Sequence, residues 1–181
     1  MDASLLALCK QTITKYSYVS SNRDNDYAWH TVVTGASIVL TGVVEVTLRV
    51  NMISGTLVVT NSTGSTTYVV NIDYTIDYTT GKIKRTVTST ITSGQTVKVS
   101  YNYETITTIA CRIEHKNVLI RNALGQETLS SCQIYCDGST AIDIKDKITS
   151  TDFDVDYPEI LAIDSNPDEN GVIDHKLIYT K

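Results

Sequence analysis

Two aspartates, Asp73 and Asp77, stand four residues apart in YVVNIDYTIDYTTGKIKRTV (Tyr68 to Val87), just before a Gly81-Lys82 pair. Paired carboxylates serve metal binding or acid–base chemistry, and a Gly-Lys pair can belong to a phosphate-binding loop. The alternation of Tyr68, Val70, Ile72, Tyr74, Ile76 and Tyr78 with mostly polar neighbours has period two, the mark of a strand. On a strand the two carboxylates lie about 13 Å apart, at about 3.3 Å per residue. One ion needs oxygens about 2.0–2.6 Å away. Gly81-Lys82 lacks both the earlier glycine and the following Ser or Thr of a phosphate loop. The spacing predicts a hairpin, with its turn at Thr79–Gly81.

Other reactive residue types are also poorly placed for chemistry. DSNPDENG (Asp164 to Gly171) resembles a calcium loop in composition only. Glu169 stands where the loop needs glycine, and His175 where it needs glutamate. A hairpin loop is the better expectation. In DFDVD, Phe153 and Val155 are expected to pack between exposed acids. His30, His115 and His175 fall on separate predicted strands, and no nucleophile elbow is present. Cys9, Cys111, Cys132 and Cys136 form no CxxC pair. Cys132, Ile134 and Cys136 alternate along one predicted strand and read as buried free thiols. No enzyme activity, metal or cofactor is expected.

The elements that must carry these residues are β-strands. The chain of 181 residues is 41% hydrophobic, rich in Thr, Val, Ile and Tyr, with two prolines and one phenylalanine. Such residues fit pleated, half-buried surfaces. An all-β fold is expected, with residues 3–10 as a short N-terminal helix or arm against another surface. No apolar run approaches the ~18 residues of a membrane span, and no membrane partner is expected. Residues 106–181 carry thirteen acids against seven bases, whereas residues 35–105 are near balance. Neither pattern suits tight binding to nucleic-acid phosphates.

Residues 38–104 read as short strands at 44–50, 56–60, 67–78, 82–87 and 97–103, separated by Asn- and Gly-containing turns. This stretch resembles a small Ig-like module that recurs in phage virion proteins. The resemblance rests on Tyr68, the Asp73-Tyr74 and Asp77-Tyr78 pairs, Gly81, Gly94 and the closing Val97–Tyr103 strand. An Ig-like β-sandwich is therefore expected over 37–105. It would interrupt a domain made of 1–36 and 106–181.

The flanks resemble phage head-tail connector proteins of the head-closure, or stopper, type. The pieces are Arg112-Ile113-Glu114, Gly125, Ile134-Tyr135, Lys145–Ile148, Ile160–Ile163, Gly171 and His175–Tyr179, in that order. A large insertion between the first strands departs from the family pattern. The resemblance implies a small β-barrel-like domain building a homo-oligomeric ring of six copies in the virion neck, assembled in the host cytoplasm. Portal and adaptor would lie above it and tail proteins below. Double-stranded DNA would pass through without sequence-specific contact. A lumen lined with acids would repel phosphate. The candidates are Asp137, Asp143, Asp146, Asp152, Asp154 and Asp156, with a solvated outer surface as the other reading. Arg121, Asn122, Gly125, Gln126 and Glu127 form a candidate gate loop. Leu5, Leu6, Leu8, Tyr27 and Trp29 are candidates for the subunit interface, since aromatics carry much interface energy. Two alternatives stay open: an Ig-like binding or adhesion component of a tail or fibre, and a tail terminator or other neck protein.

Overall fold

The computed structural model describes residues 9–19, 29–121 and 124–181. Within them the chain forms strands β1 (Gln11–Tyr16), β2 (His30–Leu40), β3 (Val46–Thr47), β4 (Val58–Asn61) and β5 (Thr67–Tyr68). Then follow β6 (Tyr74–Asp77), β7 (Lys82–Arg85), β8 (Gln95–Glu104) and β9 (Ile106–Arg121). The last four are β10 (Glu127–Asp137), β11 (Lys147–Thr149), β12 (Ile160–Pro167) and β13 (Ile173–Thr180). No helix occurs among the described residues, and none is long and apolar enough to cross a membrane. The expected all-β class is observed. The expected N-terminal helix or arm lies almost wholly outside the described residues.

Contacts divide the chain into two compact units, 1–29 with 106–181, and 30–105. The first unit is one antiparallel sheet in the order β11-β1-β9-β10-β13-β12. It ends at β11 on one side and β12 on the other, so it is an open sheet and not a closed barrel. This corrects the barrel-like form expected for the flanks. Three-residue β11 forms rungs only with β1, which leaves too short an edge to complete a ladder with β12.

The core of this unit gathers Ile13, Ile109, Cys111, Ile113, Cys132, Ile134, Cys136, Ile148, Ile160 and Ile178. Alternation explains the set, because residues two apart on a strand share a face. Cys132, Ile134 and Cys136 do share a face, and Cys111 stands opposite Cys136 across the β9–β10 ladder. All four cysteines are free thiols. Burial pushes the Cys111 thiol up to about 12, with the neighbouring Cys136 adding to the shift. Gly138, just after β10, is required by close approach. A Cβ there would run into the backbone carbonyl of Ile173, and the Gly138 N–H donates to Asp174 at 3.0 Å.

The second unit has two sheets, β2-β8-β4-β5 and β3-β7-β6. Leu40, Val59, Val97 and Val99 from the first share a core with Tyr74 and Ile83 from the second. This is the face-to-face arrangement of a sandwich. The ladder between β2 and β8 begins at His30↔Glu104. Residues 30–36 therefore belong to this unit, ahead of the boundary expected at 37.

The single strand expected over 67–78 is also corrected. It is two strands, β5 and β6, lying in different sheets. Between them the chain turns through Asn71 at φ 65°. The periodicity misled because Val70 and Ile72 occupy apolar phase yet are exposed, at 40% and 60%. Asp73 instead points inward and locks the turn. Its carboxylate accepts from the N–H of Val69 at 2.9 Å and from the N–H and hydroxyl of Thr90 at 2.9 and 2.7 Å. Asp77 accepts from the N–H groups of Thr79 and Thr80 and holds the next turn. That turn closes at Gly81, at φ 68°, where a Cβ would collide with the carbonyl of Arg49. The Asp-Tyr repeat is thus a pair of turn locks.

Candidate functional site

One recess in the first unit is a pocket of about 410 Å³. It is bounded by the end of β1 and its extension (Tyr18), by 144–147 leading into β11, and by 157–160 leading into β12, with Trp29 on its wall. That volume falls in the range of small-ligand or side-chain recognition sites, about 300–1,000 Å³.

Its walls are fixed from below by a buried ion pair. Lys15 lies on the core-facing side of β1, only 8% exposed. Its ammonium donates to the carbonyl of Ala141 at 2.7 Å and lies 3.5 Å from Asp146. Asp146 also accepts from the N–H groups of Tyr18 at 2.8 Å and Asp143 at 2.9 Å. These bonds set the course of the segment that presents Lys145 and Lys147. Trp29 then clips onto the same segment, its indole N–H donating to the Lys145 carbonyl at 3.0 Å.

Aromatic rings surround the Lys147 ammonium. It lies 3.6 Å from the Tyr157 ring centroid, 5.4 Å from Trp29 and 5.6 Å from Tyr16. Tyr16 and Tyr157 meet edge to face with centroids 5.9 Å apart. Lys145 sits 5.3 Å over Tyr18. Ring faces attract cations, so the pocket holds two lysine ammonium groups among aromatic rings. Asp146 in its lining is taken up by Lys15, and the exposed Glu159 adds one carboxylate to the wall. Among the described residues neither lysine is ion-paired to a carboxylate. Tyr157 adopts φ 56° immediately before Pro158. A bulky residue in this region is strained, and a residue before proline is normally extended. The fold thus maintains a costly backbone conformation where Tyr157 meets Lys147. The chemistry available is recognition of an anionic, partly apolar group.

A second feature is the β9–β10 hairpin. The ladder of β9 with β1 ends at Cys111, and that of β10 with β13 ends at Cys132. Beyond these rungs the two strands continue as a ribbon paired to each other, from Val118↔Ser130 to Arg121↔Glu127. A bulge between Ser130 and Cys132 marks its base. Leu119 and Leu129 stand directly opposite one another, 64% and 53% exposed, and Leu124 at the tip is 81% exposed.

The residues singled out from sequence fall in several places. Arg121 and Glu127 form an ion pair of 3.9 Å at the ribbon end, with Gly125 at φ 78° and Gln126 between them. Asn122 lies outside the described residues, as do Leu5, Leu6, Leu8 and Tyr27. Trp29 is a wall of the pocket. Asp137 accepts from the Ser139 N–H at 2.8 Å and holds the turn after β10. Asp143 accepts from the Lys145 N–H at 2.9 Å. Asp152 accepts from the Gln11 amide, and Asp154 faces His115 at 3.9 Å with its side chain 95% exposed. Asp156 is exposed. Asp146 is corrected: its side chain is only 6% exposed and is taken up by Lys15, so it offers no charge to a lumen.

Reading the residues one at a time missed Tyr16, Tyr18, Tyr157, Lys145 and Lys147 as a group. A signal was present, since Tyr16/Tyr18 and Lys145/Lys147 each have the two-residue spacing of a shared strand face. Among the described residues, no group of three or more His, Cys, Asp or Glu side chains is placed to hold a metal ion.

The fold and these surfaces define an all-β chain of two compact units. A family model described as "Protein of unknown function UCP028589" matches residues 30–119. The match takes in the second unit and most of β9. Neither the curated proteins nor the solved structures gave a match.

Proposed function

We propose that the chain is a structural component of a tailed-phage neck, of the head-closure type, which works by contact and carries no catalysis. The observation that carries this reading is the β9–β10 ribbon. A paired ribbon with exposed leucines and open backbone edges is a liability for an isolated molecule. It suits a subunit whose edges are covered in an assembly. In such a ring the exposed Asp143, Asp152, Asp154 and Asp156 are available to line a channel and keep phosphate from adhering. The ribbon end, with Arg121 and Glu127, is the candidate gate.

Reconstitution tests the reading. Added to purified portal–adaptor complexes, the chain is expected to appear by electron microscopy as a closed ring below the adaptor. Deleting 117–130 is expected to abolish that density. A chain that ignores these complexes but binds cells or glycans would instead support the adhesion reading. That second reading draws on exposed apolar residues of the sandwich, including Val44, Ile72 and Val87 at 64%, 60% and 85%.

A further inference from the structure

The aromatic–lysine pocket asks for an anionic partner, and the same unit carries a matching surface. The β12–β13 hairpin ends in Asp164-Ser-Asn-Pro-Asp168-Glu169-Asn-Gly-Val172. No lysine or arginine occurs between Ile160 and Ile173. Asp168 accepts from the N–H groups of Asn170 and Val172 at 2.8 and 2.9 Å, which gives the loop a fixed form. Glu169 is exposed, and Val172 is exposed at 64%. The tip therefore pairs carboxylates with an apolar side chain. The pocket offers the Lys145 and Lys147 ammonium groups beside aromatic rings, against one exposed carboxylate, Glu159, so a net positive charge remains.

The tip cannot fill the pocket of its own chain. The pocket lies at the start of β12 and the tip at its end. Ile160 to Pro167 spans about 23 Å on a strand, and β13 pairs along that length from Thr180 to Ile173. Bringing the two together within one chain would break the ladder.

We infer that the acidic tip of the β12–β13 hairpin of one copy seats in the Trp29–Lys145–Lys147–Tyr157 pocket of the next. The two surfaces differ, so the contact is head-to-tail, and such contacts close into rings when the rotation allows. This deepens the ring reading and supplies the subunit contact it requires. Carboxylates meet cations that have already left part of their water for aromatic faces, and Val172 meets the apolar wall.

Complementary charge reversal tests the inference with the full chain. Wild-type protein is expected to self-associate as concentration rises toward millimolar, by sedimentation velocity, with a concurrent change in emission from Trp29, the single tryptophan. High salt is expected to weaken this. Lys145→Glu with Lys147→Glu, and separately Glu169→Lys with Asn170→Lys, are each expected to weaken association at least about tenfold. Lys145→Gln with Lys147→Gln, which adds no acid, is the milder check, and circular dichroism establishes that each variant is folded. An equimolar mixture of the two reversed proteins is expected to associate again, because each basic surface finds an acidic one. The inference is overturned by a monomeric wild type with unchanged Trp29 emission. Reversed proteins that associate as well as wild type overturn it too, as does a mixture that stays apart. Portal–adaptor binding is read separately, so the neck assignment can survive the loss of this contact.

Discussion

The indole N–H of Trp29 donates to the carbonyl of Lys145, 116 residues further along the chain. That bond ties the last described residue before β2 to the segment leading into β11, and so joins the two sequence-distant pieces of the first unit. Trp29→Phe keeps most of the ring and loses the donor. It is expected to lower the stability of the first unit by about 1 kcal/mol, the usual net worth of such a bond, measured by urea denaturation with Tyr circular dichroism as the probe.

The Lys15–Asp146 pair underlies the same wall. Removing one partner leaves a buried, uncompensated charge, which costs roughly 3–5 kcal/mol. Asp146→Ala is expected to fall in that range. Lys15→Met combined with Asp146→Leu is expected to recover much of the loss, because buried pairs are often replaceable by apolar residues. Denaturant midpoints of the single and double variants decide the matter. A double variant no better than Asp146→Ala would assign the loss to the hydrogen bonds from Tyr18 and Asp143.

Asp73 makes the second unit sensitive to acid. The Val69 N–H, followed by the Thr90 hydroxyl and N–H, holds its carboxyl below the usual carboxylate value. A depressed value in the fold means stabilisation that is full above the unfolded value of about 3.9 and lost as pH falls through the lower folded value. Wild type is therefore expected to lose stability from about pH 4 downward. Asp73→Asn is expected to start about 2 kcal/mol lower at neutral pH and to show a flatter curve over that window. Thermal melts across pH 2–7 test this. Equal slopes for the two proteins would count against the assignment.

Gly81 and Gly138 are positions where a methyl group has nowhere to go. Gly81→Ala meets the carbonyl of Arg49 in the second unit, and Gly138→Ala meets that of Ile173 in the first. Each is expected to cost several kcal/mol, as the clash, joined at Gly81 by the strain of its positive φ, exceeds the small entropic gain of Gly→Ala. Hydrogen exchange should localise the loss to the substituted unit.

The thiols should react in an order set by burial. All four thiols have values raised chiefly by desolvation, but Cys9 is only half-buried whereas Cys111, Cys132 and Cys136 are buried. At pH 8 a thiol reagent is expected to modify Cys9 first, and the other three only on unfolding, because the thiolate is the reactive form. Mass spectrometry of the labelled peptides reads the order. Early labelling of Cys111 would contradict the packing.

Much of the fold was legible because strand alternation writes burial directly into sequence. Cys132, Ile134 and Cys136 share a face as their spacing requires. The alternation failed at 69–73, where apolar Val70 and Ile72 kept the phase and Asp73 carried the structure through side-chain bonds invisible to periodicity. It also gave no hint that the six-stranded sheet stays open, which depends on β11 being three residues long. The pocket was least legible. Tyr16, Trp29, Lys147 and Tyr157 come from four separate stretches of chain, and only the sheet order brings them together. Trp29 could be flagged by type alone, but its lysine partners could not.

The first rung of the β2–β8 ladder joins His30 to Glu104, with the His30 Nε2 3.3 Å from a Glu104 carboxylate oxygen. Directly opposed residues on antiparallel strands have Cα atoms about 4.5–5.5 Å apart. The polypeptide thus enters and leaves the sandwich through what is effectively one doorway. Closing so small a gap costs little chain entropy whatever length is threaded through it. A short linker across that one gap is therefore a physically cheap replacement for the whole sandwich, however many residues it removes.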